Sequence, residues 1–267
     1  MFNKSSGINS DMRFIITILI GFLSTAQFVL ASDLAREKRL AEQNEEMIFD
    51  GEVLYLDSAG HEFMNVYMET EAEQLKGAVI ILHGRGFHPD WKNVVRPLRI
   101  GLAEKGWNTL SMQMPVLEKN AKYYDYLPIM PEAFPRIEAG IDFLKNEGFE
   151  NIILIAHSCS VHMVMAWLDA KRFRDIDAFI GIGMGATDYQ QPIARPLPLD
   201  QLSVPVLDVY GAEEYPAVVS GAEQRLDFIK RGGNIKSKQV IVMGADHYFT
   251  QKDEDLLEVV SEWMQGL

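Results

Sequence analysis

The stretch Asn151-Ile152-Ile153-Leu154-Ile155-Ala156-His157-Ser158-Cys159-Ser160-Val161 decides how the chain is read. Its aliphatic run, with no polar alternation, predicts a strand buried on both faces. A helical pattern resumes at Val161–Ala170, so the chain turns sharply from strand to helix with Ser158 at the apex. Such a turn brings backbone and helix close together, and the positions two residues either side of its apex must be small. Ala156 and Ser160 meet that demand without being the usual glycines. Centring the turn on Cys159 would put His157 and Val161 there, both too bulky, so Ser158 is preferred to Cys159 as the nucleophile. In isolation the same residues would also suit an ordinary turn with a capping serine.

Working outward, short apolar runs alternate with helical stretches. Val53–Leu56 and Phe63–Tyr67 flank Asp57-Ser58-Ala59-Gly60 and read as an antiparallel hairpin. Further strands are expected at Ala78–Leu82, Thr109–Gln113, Ile152–Ile155, Ala178–Ile182, Val204–Tyr210 and Gln239–Val242. Helices are expected at Arg96–Lys105, Phe134–Asn146, Val161–Ala170, Val218–Arg231 and Glu254–Met264. This order predicts an α/β fold, a doubly wound, mostly parallel eight-stranded sheet with helices on both faces. Pro115–Pro135 and Thr187–Pro198 are irregular and fall at the sheet's C-terminal edge, where open α/β sheets bind ligands.

Two further strand ends carry polar groups. After Val204–Gly211 comes Ala212-Glu213-Glu214-Tyr215-Pro216. A carboxylate there can hold a histidine in the right tautomer and stabilise its charged form. Glu214 is the first choice and Glu213 the second, while Asp208 lies inside the strand. After Val240–Met243 comes Gly244-Ala245-Asp246-His247-Tyr248-Phe249, which puts His247 where it can take a proton from Ser158. The chain order serine, acid, histidine, each just past a strand, is hard to obtain by chance. Earlier, His83-Gly84-Arg85-Gly86 follows the strand Ala78–Leu82, and its backbone N–H groups can turn toward a developing oxyanion. The expected donors are the backbones of Arg85 and Cys159. His83, Gly84, Gly86, Tyr124 and Tyr126 are expected to line the substrate site. His83 is equally open to a structural or polar-packing role, the role given to His88, His157 and His162, and no metal-ligand spacing links the histidines.

Composition sets the outer bounds. The chain has 267 residues, 48% hydrophobic and 24% charged, with a formal net charge of −13 and one cysteine. That charge argues against nucleic-acid binding through phosphates, and one cysteine excludes an intrachain disulfide. Lys4 and Arg13 precede an apolar run from Phe14 to Leu23, and Val29-Leu30-Ala31 supplies small residues before a cut. Residues 1–31 are therefore expected to be a signal peptide, with cleavage after Ala31 or after Ala26. Residues 32–50 read as an N-terminal lead-in, charged, helix-prone and exposed over Asp33–Asn44, and 51–267 as the folded domain. The mature chain is expected to be periplasmic or secreted, with no stable membrane span.

The segments His83–Gly86, Ala156–Ser160, Gly211–Glu214 and Asp246-His247 together resemble the α/β-hydrolase superfamily, over about residues 51–265. Gly86–Trp91, Pro97-Leu98-Arg99 and Gly106–Ser111 are similar to an exported bacterial branch of uncharacterised function. The resemblance implies Ser158 as nucleophile, Glu214 as acid, His247 as base, and Arg85 and Cys159 as oxyanion donors, with no cofactor and no metal. Two departures stand out: the turn lacks both glycines, and the acid is Glu where Asp is commoner. The expected activity is hydrolysis of a small-molecule or lipid-like carboxylic ester, or an amide or thioester, through an acyl-enzyme. The competing expectations are a catalytically silent binding protein of the cell envelope and a hydrolase acting through Cys159.

Overall fold

Strands apolar at every position must be covered on both sides, and the chain does this with two sets of helices. The computed structural model describes residues 31–171, 175–188 and 191–267. Apart from Ala31, the expected signal peptide lies outside them. The elements in chain order are α1 (Leu34–Asn44), β1 (Glu52–Ser58), β2 (His61–Met68), β3 (Gly77–Leu82), α2 (Val95–Glu104) and β4 (Trp107–Met112). Next come α3 (Tyr123–Tyr126), α4 (Ala133–Asn146), β5 (Ile152–His157), α5 (Cys159–Lys171) and β6 (Ala178–Ile182). The chain continues with β7 (Val206–Glu213), α6 (Pro216–Ser220), α7 (Ala222–Gly232), β8 (Lys238–Asp246) and α8 (Asp253–Gln265).

The eight strands form one sheet in the order β1-β2-β4-β3-β5-β6-β7-β8. β1 and β2 form the expected hairpin, and β2 joins β4 antiparallel. All remaining pairs are parallel. Alternation along β3 shows the two layers: Ala78, Ile80 and Leu82 face a core shared with α4 and α5. Val79 and Ile81 face a second core, built with α2 and α8. From β3 the strand order runs outward to β4 on one side and to β5 on the other, and the crevice opens at that reversal.

Two expectations change. The helix expected over Val218–Arg231 is two helices, α6 and α7, broken at Gly221. Residues 32–50 are exposed along most of their length, as expected, but they are not a loose lead-in: Ser32, Glu37 and Ala41 are buried, and Glu37 pairs with Arg136 of α4 (Nη1–Oε2 2.9 Å). Arg36 adds hydrogen bonds to the carbonyls of Leu117 and of Gly86, the latter at 2.9 Å. Asp208, in the middle of β7, is fully buried and accepts from Arg225 Nε at 2.7 Å and Gln239 Nε2 at 2.8 Å. Burial pushes its carboxyl up from the usual range, and Arg225 opposes that shift.

Removing one member of such a pair strands a buried charge, at a cost of about 3–5 kcal/mol. Urea unfolding is expected to show Arg225→Met losing about that much. The double variant Asp208→Leu/Arg225→Met should lose less, and equal losses would show that the pair does not govern this end of β7.

Candidate active site

Ser158 sits between β5 and α5 with φ of 57°, a left-handed conformation that a side chain other than glycine's adopts only under constraint. Two bonds supply the constraint. Ser158 N–H donates to Ile182 O of β6 at 2.8 Å, and the Ser160 hydroxyl donates to the carbonyl of His83. The non-glycine residue at 160 therefore bonds the start of α5 to the loop after β3. Ala156 is fully buried, so the sharp turn forms with two small residues in place of glycines.

The polar groups expected after β5, β7 and β8 meet here. His247 Nε2 lies 2.8 Å from Ser158 Oγ, and His247 Nδ1 lies 2.5 Å from Glu214 Oε1. A carboxylate only accepts, so Nδ1 carries the hydrogen, and in the neutral ring Nε2 is free to accept from the serine hydroxyl. Glu214 has a side chain with no exposed surface, and its Oε1 also accepts from Tyr215 N–H at 2.8 Å. Glu213 is exposed at the end of β7, and Asp208 is held by Arg225 as described above. Of the three acids considered, Glu214 alone reaches His247. Asp246 shapes the turn carrying His247, accepting from the backbone N–H of Tyr248 at 3.0 Å and of Thr250 at 2.9 Å. Burial alone would raise the Asp246 carboxyl, but these bonds hold it below its usual value.

Cys159 opens α5, so its backbone N–H is among those a helix leaves without an internal acceptor. Its thiol is buried and pushed up to about 12 by desolvation. Arg85 lies in the turn after β3, and its side chain forms a two-pronged pair with Asp188 (2.9 and 3.0 Å). That pair occupies the guanidinium. Burial would raise the Asp188 carboxyl, but bonds from Arg85 and from Tyr123 N–H hold it low. Gly84 packs against the ring of His157: a Cβ there would come within 2.8 Å of Nδ1. His157 Nε2 donates to the His247 carbonyl at 3.0 Å, and desolvation lowers this imidazole to about 3, so it stays neutral.

The residues expected to line the substrate site divide. His83 is 1% exposed, donates from Nδ1 to Gly84 O at 2.7 Å and accepts Met114 N–H at Nε2, 2.9 Å away. Desolvation lowers it to about 3. It is a pin inside the loop, not a lining group. Tyr126 is 1% exposed with its hydroxyl accepting from Leu117 N–H, and Tyr124 points outward to Pro192 O at 3.1 Å. Tyr123, the residue before Tyr124 in α3, faces the cleft instead. Gly84 and Gly86 shape the loop without lining the cleft, and Gly86 O accepts from Arg36.

The cleft over Ser158 holds only about 40 Å³ and is walled by Phe87, Tyr123, Tyr215 and Tyr248 together with Arg85. Tyr215 stacks on the His247 ring at 4.2 Å, and its hydroxyl lies 2.9 Å from that of Tyr248. Tyr123 also borders a neighbouring pocket of about 520 Å³, lined by Met130, His162, Met165 and Leu197 among others. Sequence reading missed Phe87, Tyr215 and Tyr248. Each directly follows a selected residue (Gly86, Glu214 and His247), and that adjacency was the available signal. Among the described residues no group of three or more His, Cys, Asp or Glu could hold a metal ion. None of the described helices is long and apolar enough to cross a membrane.

Comparison with known proteins bears on this geometry. The family model described as "Protein of unknown function (DUF3530)" matches residues 27–126 and 128–265. No curated protein matches in sequence. Among solved structures, Est1E from Butyrivibrio proteoclasticus is similar at 19% identity and TM-score 0.61, covering 80% of this chain and 98% of its own. An alpha-beta serine hydrolase homologue from Coxiella burnetii is similar at 17% identity and TM-score 0.57, covering 82% and 99%. The epoxide hydrolase VrEH1 from Vigna radiata is similar at 13% identity and TM-score 0.55, covering 81% and 98%. These likenesses place the fold with the α/β hydrolases.

Missed by sequence reading, Gly183 touches the hydrogen-bonded chain directly. A Cβ there would lie 3.0 Å from His247 Cε1 and 3.2 Å from Glu214 Oε2, whereas one at Gly185 would meet only Arg225 at 3.7 Å. Both glycines have positive φ. Gly183→Ala is expected to abolish the far-downfield proton signal of the His247–Glu214 bond in NMR spectra, and Gly185→Ala to retain it. Loss in both would trace the effect to backbone strain alone.

Proposed function

The chain belongs to the family described as "Protein of unknown function (DUF3530)", and from that premise we propose that it is a serine hydrolase of carboxylic esters, exported to the periplasm or beyond. The observation that carries the reading is the unbroken chain Glu214–His247–Ser158, with both links at hydrogen-bond length. A serine hydroxyl alone is a weak nucleophile, and a positioned imidazole with its second nitrogen fixed removes the proton as attack proceeds.

In this mechanism Ser158 Oγ adds to the ester carbonyl while its proton passes to His247 Nε2. Glu214 stabilises the resulting imidazolium. The carbonyl oxygen, now negative, turns toward the N–H groups of Cys159 and Arg85, and a pair of such donors contributes several kcal/mol in a dry site. Collapse expels the alcohol, which takes the proton from Nε2 and leaves the acyl group on Ser158. Water, deprotonated by the same nitrogen, then adds to the acyl carbon and releases the acid. The aromatic walls favour a flat or apolar substrate, and the larger pocket beyond Tyr123 offers room for its longer part. The Cys159 alternative has a thiol buried and held protonated at neutral pH, which disfavours it.

A fluorophosphonate probe is expected to label the intact protein, and neither Ser158→Ala nor His247→Ala should be labelled. Glu214→Gln should lower turnover of a short-chain aryl ester by about 10³–10⁴-fold, while Cys159→Ala keeps labelling because the backbone N–H remains. Labelling that survives Ser158→Ala would move the nucleophile elsewhere. A folded protein without labelling would favour a silent binding role.

A further inference from the structure

The chain at residue 32 is held by the body of the protein. Ser32 is 7% exposed, while Ala31 before it is exposed. The backbone nitrogen of Ser32 lies 3.1 Å from Glu132 Oε2 and 3.3 Å from Oε1. Asp33 N–H donates to Val116 O at 2.7 Å, and the Asp33 carboxylate caps α1 at Arg36 N–H, 2.9 Å away. A peptide nitrogen carries one hydrogen, but here both oxygens of one carboxylate converge on it. An ammonium, with three hydrogens and a full charge, would use both oxygens. The sequence reading left two cuts open, after Ala26 and after Ala31. Only the second makes Ser32 nitrogen an ammonium.

We infer that the mature protein begins at Ser32 and that its new α-ammonium forms an ion pair with Glu132. Cleavage is hydrolysis of the Ala31–Ser32 peptide bond by a signal peptidase. The oxygen of water adds to the Ala31 carbonyl carbon, the C–N bond breaks, and both protons of the water pass to the Ser32 nitrogen, leaving a carboxylate on Ala31 and an ammonium on Ser32. Glu132 lies immediately before α4, six residues past the end of α3, which carries Tyr123. The pair therefore fastens the processed end to the segment that walls the cleft. The inference rests on the export reading and is independent of the ester chemistry.

Two measurements test it. Intact mass of the exported full chain is expected to show loss of residues 1–31. A start at Gln27 would overturn the inference while leaving export intact, and an uncut chain would overturn both. The second measurement follows urea midpoints of the mature protein and of Glu132→Gln from pH 7 to 10. A free α-amino group has a pKa of about 7.7–8.0, and an ion pair raises it. Stabilisation from the pair is then full below the unfolded value and lost as pH climbs through the raised folded value. Glu132→Gln should unfold at roughly 0.3–1 M less urea at pH 7, converging on the wild type by pH 10. A difference independent of pH would leave only a neutral hydrogen bond and overturn the ion pair. The other charged groups on the elements meeting Ser32 are Asp33 before α1, Arg36, Glu37, Lys38, Arg39 and Glu42 of α1, Glu118 and Lys119 after Val116, and Arg136, Glu138, Asp142 and Lys145 of α4, all common to both proteins. Should Glu132→Gln fail to fold, a chain starting at Gln27 gives the same comparison, since its Ser32 nitrogen is a neutral amide.

Discussion

The backbone at Ser158 is the constraint on which the rest depends. A left-handed conformation at a residue with a side chain costs about 1–2 kcal/mol and persists only where its surroundings over-determine it. Here Ile182 O holds the serine amide from the neighbouring strand, and the Ser160 hydroxyl holds the next turn to His83 O. From the other side, His157 Nε2 holds the backbone of His247 at 3.0 Å. One strained residue thus joins β5, β6, the loop after β3 and the loop after β8. Relaxing it would disturb all four at once.

The electrostatics around that turn are simple because burial keeps most of its histidines uncharged. His83 and His157 are each lowered to about 3 by desolvation, and His162 to about 4. With the rings of His157 and His247 only 5.0 Å apart, a charged His157 would oppose any positive charge arising on His247. Its neutrality leaves Glu214 the dominant charge felt by that ring, and Tyr215 stacked on the imidazole presents a π-face favourable to a cation.

Much of this was legible because it is written in periodicity. Unbroken apolar runs gave strand positions, and polar residues just past them gave Ser158, Glu214 and His247, since strand ends in a parallel sheet share one edge. The aromatic wall was not legible. Tyr123 faces the cleft while Tyr124 and Tyr126 do not, a distinction set by which side of a four-residue helix packs on Leu117 and Pro192. His83 stayed open between lining and packing for a related reason: a histidine beside glycines also looks like a ligand-binding group until Met114, thirty-one residues away, is seen donating to it. The densely charged segment before residue 50 is mostly exposed, as its composition suggests, but its anchoring through Glu37 was not legible. The partner that buries Glu37 is Arg136, ninety-nine residues further on, and no local pattern encodes that pairing.

The bond from Arg36 to Gly86 O gives α1 a reach beyond its own packing. That carbonyl belongs to the residue after Arg85, so the first helix of the described chain braces the turn expected to hold the oxyanion. Terminal helices open far more often than central strands. Fraying of that peripheral turn would release the Gly86 carbonyl and so reach the far wall of the crevice while every strand of the sheet stays paired.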